Sequence, residues 1–326
     1  MLVSVFFVIL QVLIYTVFAM DERLDKVKVQ FSYLPLINFA IQQNSAPVIH
    51  QLSIENATSA PLKDIQVQIT AEPAFGNAVP TVIELIPAHG TVSLQPLSLT
   101  LSANYFTQLT ERLSGNLKIE ITSEASLIFT QTYPIDILAY DQWGGLNVLP
   151  EMLAAFITPN HTAILPIIKR AAAILGQWTD SPSLDEYQSR NPDRVRKQMA
   201  AIYTAISEQQ IIYSTIPASF EEYGQRVRLA DSVMAQKLGT CLDMSLLYAS
   251  CLEAIGLNPL IIITQGHAFA GAWLVPETFP DPTVDDVSLL TKRRHHFGGD
   301  DLHEHGTPVR LRQCREESER QADGRK

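Results

Sequence analysis

The chain has 326 residues, 46% of them hydrophobic and 18% charged, with a net charge of −10. That length supports two domains with separate cores, and the acidic balance excludes a standing nucleic-acid surface, which needs a basic face. Three cysteines give neither the even number of a disulfide framework nor the spacing of a zinc site, so a reducing compartment is expected.

Leu2 to Ala19 is an apolar run interrupted only by Ser4, Gln11 and Thr16. It has three readings. A signal peptide would have its h-region here but lacks a basic n-region. A membrane anchor would sit at the short limit of a span, with Arg23, Lys26 and Lys28 holding the body on the cytoplasmic side. In the third reading the start is misassigned and translation begins at Met20, since MDERLDKVKVQFSY has the character of a cytosolic N-terminus. The expected location is the cytoplasm. Membrane attachment is the alternative, and it holds only where residues 1–19 are retained.

Residues 20–139 read as all-β. Val29, Phe31 and Tyr33 alternate with polar residues, as do Leu52 with Ile54, and Ile65, Val67 and Ile69. Further runs cover Thr81–Ile86, Val92–Leu101, Leu117–Thr122 and Leu127–Leu138, with turn signals between them. Short strands at this spacing predict an immunoglobulin-like β-sandwich, a scaffold or partner-binding part with no catalytic signature. Asn56-Ala57-Thr58 and Asn160-His161-Thr162 fit the glycosylation sequon, a triplet common by chance.

Tyr140-Asp141-Gln142-Trp143-Gly144-Gly145 marks a boundary, and the period then becomes helical over Leu149–Ile157, Ala163–Trp178 and Pro192–Glu208. Asn191-Pro192 opens the last of these with proline in the first turn. Next comes KLGTCLDMSLLYASCLEAIGL, a loop ending in Gly239-Thr240, an amphipathic helix and a stop at Gly256. Two strands, Leu260 to Thr264 and His267 to Leu274, follow with Gln265-Gly266 between them. Residues 140–292 therefore predict an α+β domain. No GxxxxGK[ST] loop occurs anywhere, so this chain by itself is not an ATP-driven motor.

Cys241 and His267 open two successive elements of that domain. Thr240 to Asp243 matches the capping pattern before an apolar run, which puts Cys241 in the first helical turn, where free N–H groups and the helix dipole favour a thiolate. Asp243, a second negative charge nearby, works modestly against it. An imidazole within reach would take the thiol proton. A cysteine at a helix start is also a common packing residue, and Cys251, about 280° further around the helix, reads as core.

The stretch from about Leu138 to Leu290 resembles a specific family. The strings AYDQWGGLNVLPEMLAAFITPNH, PASFEEYGQRVRL, GTCLDMSLLYASCLEAIGLNPL, GHAFAGAWL and ETFPDPTVDD are similar to the region preceding the motor of large bacterial superfamily 1 helicase-like proteins, a family of unknown function with a transglutaminase-like core. The resemblance implies a papain-like α+β domain, with Cys241 as nucleophile, His267 as base and no cofactor. It also implies helicase domains in the same polypeptide. Such enzymes orient the histidine with an acidic residue on the next strand; Asp281 and Asp285 are the candidates, although Asp285-Asp286 also reads as a helix cap. In an active site of this type the Cys241 backbone N–H and the side chain of Gln225 or Gln236 would meet an oxyanion.

Residues 293–326 change character. RRHHFGGDDLHEHGTPVRLRQCREESERQADGRK is poor in aliphatics and rich in His and Arg, and it contains the third cysteine, Cys314. It reads as a disordered, possibly out-of-frame tail, ahead of the strand that should carry the orienting residue. Its histidines and aspartates match no standard metal spacing. The expected function is an accessory or regulatory module of a helicase-like nucleic-acid-processing protein. The alternative is an active cysteine hydrolase or acyltransferase working on a protein or peptide.

Overall fold

The computed structural model describes residues 26–95, 97–214, 224–264 and 266–298. Residues 1–25 and 299–326, and with them the apolar N-terminal run and Cys314, lie outside the described residues. The chain is mixed α+β. It forms two compact units, one from residues 26–152 and 224–226, the other from 153–214 and 227–298.

The first unit is built on strands β1 (Val27–Tyr33), β2 (Leu36–Ile37), β3 (Ile49–Asn56), β4 (Leu62–Glu72), β5 (Gly76–Ala78), β6 (Thr81–Ile86), β7 (Thr91–Leu94), β8 (Leu99–Leu101), β9 (Leu113–Ser123), β10 (Ser126–Ile137) and β11 (Gln142–Trp143). Two short helices, α1 (Phe39–Gln43) and α2 (Ala103–Gln108), begin at Asn38 and Ser102, whose side chains accept backbone N–H groups. The strands form a three-stranded sheet, β1-β3-β7, and a seven-stranded sheet, β2-β10-β9-β4-β5-β8 with β6 also on β4. The larger sheet curls into a half barrel. Period-two alternation sets the register: Ile65, Val67 and Ile69 of β4 are all buried, and Val67 faces Ile121 while Ile69 faces Ile119 of β9. The run expected over Val92–Leu101 divides instead. β7 joins the small sheet and β8 the large one.

Asn56 has a structural use. It is fully buried, and its Nδ2 donates to the carbonyls of Ala60, Ile86 and Pro87 at 2.8, 3.3 and 3.0 Å. The nitrogen that a sequon would present to a glycan is committed to closing two turns.

Residues 150–156, which run from the end of the first unit's segment into the second, form a 3-10 helix rather than the expected α-helix. Its buried residues, Leu153 and Phe156, are three apart, which suits the three-residue turn. Helix α3 (Leu165–Trp178) buries Ile167, Ala171, Ile174 and Leu175; α4 (Pro192–Ser207), capped by Asn191, buries Val195, Met199, Ile202 and Ile206. Both patterns are the i, i+4, i+7 stripe of a helix against a core. Strand β12 (Ile212–Tyr213) follows, and β13 (Gln225–Arg226) pairs with β11 in the first unit's chain segment. Then come α5 (Ala230–Gln236), β14 (Leu238–Gly239), α6 (Cys241–Ala254), β15 (Pro259–Thr264), β16 (His267–Trp273), α7 (Val287–Lys292) and β17 (Phe297–Gly298).

Helix α6 is not amphipathic. Leu242, Leu246, Leu247, Ala249, Cys251 and Leu252 are buried around its circumference, the signature of a central helix. Its buried serines are satisfied locally: Ser245 Oγ donates to the Cys241 carbonyl and Ser250 Oγ to the Leu246 carbonyl, each at 2.7 Å. The helix ends at Gly256 (φ +81) in a Schellman turn, with Leu257 N–H donating to Leu252 O and Gly256 N–H to Glu253 O. Among the described residues no helix is long and apolar enough to cross a membrane.

Candidate active site

Strand β14 delivers Thr240, and Thr240 starts α6. Its hydroxyl accepts the Asp243 N–H at 3.2 Å, and Asp243 Oδ2 accepts the Thr240 N–H at 2.9 Å, so the expected capping box is closed in both directions. Two further N–H groups at this helix end, those of Cys241 and Leu242, have no acceptor among the described residues. They lie beside the Cys241 thiol, which is partly exposed. An anion forming there meets donors already in place.

Asp243 is not the opposing charge that its position in the sequence implies. It is fully buried, and Arg228 closes on it with a backbone N–H to Oδ1 at 2.8 Å and Nη1 to Oδ2 at 3.1 Å. The carboxylate is neutralised by the guanidinium and serves as the anchor of the helix start.

Tyr213 lies on the strand beside the start of α6. Strand β12 runs parallel to β14 with Tyr213 opposite Gly239, fixed by Ile212 N–H to Lys237 O at 2.8 Å and Ser214 N–H to Gly239 O at 2.9 Å. Burial raises the Tyr213 phenol above its ordinary value, and negative charge on Cys241 and the hydrogen bond to it raise it further. The residue is 55% exposed. No signal in the sequence marked Tyr213 or Arg228. Each is placed by a partner far along the chain.

His267 begins β16, which pairs with β15 from Thr264↔His267 to Pro259↔Ala272. Gly266 (φ +70), in the two-residue connection, would have no neighbour within 4 Å of an added Cβ, so glycine is there for backbone conformation. The hairpin packs on α6. Ala268, Ala270 and Ala272 are buried, and Ala272 belongs to the core beneath α6. His267 and Phe269 have the opposite parity; their rings stack at 6.4 Å and stay partly exposed. No hydrogen bond joins the His267 ring to the Cys241 thiol among the described residues.

The remaining candidates are spread out. Asp281 and Asp285 are exposed, and among the described residues neither is bonded to His267. Asp286 caps α7, accepting the Ser288 N–H at 2.8 Å, and these hydrogen bonds lower its carboxyl below the usual range. Gln236 is exposed at the end of α5. Gln225 is buried in the first unit, with its backbone on Trp143. The change of character at Lys292 does not end the fold. Phe297–Gly298 pairs with Trp273 and Ala272, and Phe297 lies over Gly271, where a Cβ would come within 2.4 Å of its ring. This strand follows the histidine strand in the sheet, and its described residues carry no acid.

Cys251 sits in the core with no exposure, and burial pushes its thiol up to about 12. A thiol at that value in the fold and near 9.0 when unfolded stabilises the fold below pH 9, a contribution lost as pH rises toward 12. Cys251 should therefore resist alkylation until the unit unfolds, and the melting temperature should fall progressively above about pH 9. Alkylation of native Cys251 at a rate matching Cys241 would contradict this placement.

Among the described residues no cluster of three His, Cys, Asp or Glu side chains is assembled to hold a metal ion. What the site offers is a thiol, two backbone donors without an acceptor among the described residues, and an imidazole on the adjoining hairpin. No family model matches the chain, and no curated protein matches it.

Proposed function

We propose that the second unit is a transglutaminase-like module in which Cys241 is the nucleophile of an acyl-transfer reaction on a protein or peptide. One observation carries this reading: a partly exposed thiol lies beside two N–H groups, at the start of a capped, fully packed helix, that have no acceptor among the described residues. Sulfur attacks the amide carbonyl carbon, the C–S bond forms and the carbonyl π pair moves to oxygen. Collapse breaks the C–N bond, and the amine leaves with the proton that His267 took from the thiol. Water or a primary amine then attacks the thioester, releasing acid or a new amide and returning the thiol. His267 must turn toward the sulfur to do this, a tightening that sites of this kind undergo when substrate binds.

A second reading is supported by the strings from Leu138 to Leu290. By that resemblance the unit is an accessory or regulatory part of a helicase-like protein, with the first unit as an immunoglobulin-like scaffold. Cys241 would then keep its structural place without turnover. Incubation of the full chain with 4-nitrophenyl acetate at neutral pH separates the two. The acyl-transfer reading expects selective acylation of Cys241 followed by deacylation, mapped by peptide mass. Acylation no faster than in the urea-unfolded chain favours the accessory module.

A further inference from the structure

We infer that a groove at the start of α4 captures the C-terminal carboxylate of a peptide that ends in an apolar residue. The groove has a volume of about 300 Å³ and lies wholly within the second unit. Val195 and Leu274, both buried, line it together with Tyr187 and Pro276; Arg190 and Asn191 are the polar part of its lining. It is separate from the thiol site, since His267 begins β16 and Leu274 follows its last residue.

The groove is built before any ligand arrives. The Tyr187 hydroxyl accepts the Asn258 N–H and donates to the Trp273 carbonyl, each at 2.9 Å, which ties one wall to the end of the hairpin. Arg194 holds the preceding loop, bonding Asp185 Oδ1 at 3.2 Å and Thr179 Oγ1 at 2.8 Å. Arg190 itself is in the left-handed region (φ +52), with its N–H donating to Tyr187 O at 2.9 Å. A non-glycine residue keeps that conformation only where its surroundings fix it.

The charge around the groove selects an anion. The other two arginines at this helix start have acids, Arg194 with Asp185 at 3.2 Å and Arg196 with Asp193 at 3.1 Å. Among the described residues Arg190 has no acid partner, and no acid lines the groove. Asn191 caps α4 through Oδ1, which accepts the Asp193 N–H at 3.0 Å, so its NH₂ is the group left to donate elsewhere. The helix backbone adds no donor, because the Asn191 carbonyl accepts the Arg194 and Val195 N–H groups at 3.0 and 3.2 Å. A guanidinium beside an amide NH₂, with no second cation, suits the single charge and planar oxygens of a carboxylate.

Shape gives the rest of the ligand. Asn191 and Val195 are four residues apart on α4, about 5–6 Å, comparable to the reach from an α-carboxylate to the branch of its own leucine side chain. A volume at the lower limit of small-molecule sites holds one such side chain. Both donors are exposed and both buried lining residues are apolar, so the side chain enters while the carboxylate and the preceding amide stay at the surface. There the remainder of a peptide has room to leave, which is why a peptide end rather than a free acid is assigned.

The test titrates the full chain, with labelled valine and leucine methyl groups, with N-acetylglycylleucine, its C-terminal amide and isocaproic acid. The acid-ended peptide should shift the Val195 and Leu274 methyl signals to saturation. The amide should bind about tenfold more weakly or worse, because the guanidinium loses its charged acceptor. Arg190→Gln should weaken the acid about tenfold. Asn191→Asp keeps the helix cap, so the urea midpoint should hold, yet it sets a second carboxylate against the first and should abolish saturation. Equal binding of acid and amide, wild-type binding by either variant, or no shift at about 20 mM peptide would overturn the site. Isocaproic acid binding as tightly as the peptide would overturn the peptide assignment. None of these outcomes involves Cys241, so they leave the acyl-transfer reading to its own test.

Discussion

Asp243→Ala should destabilise the unit that carries Cys241 by about 3–5 kcal/mol, the range for breaking a buried ion pair from one side. The carboxylate has no exposure and accepts the Arg228 backbone N–H, the Arg228 guanidinium and the Thr240 N–H. Alanine leaves all three donors without their acceptor and opens the capping box, which alone is worth about 1 kcal/mol. Arg228 is 28% exposed, so it recovers part of its hydration by turning outward, which favours the lower end of the range. Asp243→Asn keeps an acceptor for Thr240 and loses the charge, and should cost less than alanine. In urea unfolding only the transition of the second unit should move. A change under about 0.5 kcal/mol for both variants would show that Asp243 does not anchor the helix start.

The second large effect is on chemistry. Cys241→Ser should reduce acyl transfer by about 10³-fold or more, as loss of a nucleophile does, and leave the urea midpoint nearly unchanged because the side chain is partly exposed and similar in size. His267→Ala should lower the rate by about 10²- to 10⁴-fold, the span of general acid–base catalysis. His267 is not bonded to the thiol in the free protein, so its removal should also leave stability within about 0.5 kcal/mol of wild type. A His267→Ala variant acylated at the wild-type rate removes the imidazole from the mechanism.

The parts of this fold that are legible in the sequence are those fixed by neighbours along the chain. Ile65, Val67 and Ile69 announce a half-buried strand by alternation. Thr240 and Asp243 announce the start of α6 by capping chemistry, and Gly256 its end. Gln265-Gly266 between two apolar runs announces the hairpin. What stayed hidden depends on pairing at long range. Nothing local says that Ile212–Tyr213 will lie parallel to Leu238–Gly239, so the place of Tyr213 beside the start of α6 was invisible. Nothing local says that Arg228 will pair with Asp243, so the sequence shows the carboxylate beside Cys241 and not the guanidinium that offsets it. Phe297 was lost in a stretch whose composition is unlike the rest of the fold, although the Gly271 backbone leaves room for its ring.

Composition also misled in the helix. The spacing of Leu242, Leu246 and Ala249 reads as one face, but Leu247, Cys251 and Leu252 fill the other within the core they share with α3 and α4 residues. A helix buried on all sides presents its ends as the accessible parts. That is why the function-bearing group of α6 is its first residue, and why Cys251 ten positions later is inert.

The most direct measurement is the rate of Cys241 acylation by 4-nitrophenyl acetate as a function of pH, in the wild-type chain and in His267→Ala, with Cys251 as internal control. The expected result is fast, selective acylation of Cys241 at neutral pH, slowed about 100-fold or more at pH 7 by loss of the imidazole and partly restored as pH rises. Slow acylation of Cys241 that follows the profile of an unfolded thiol and is indifferent to His267→Ala would contradict a catalytic role for the pair.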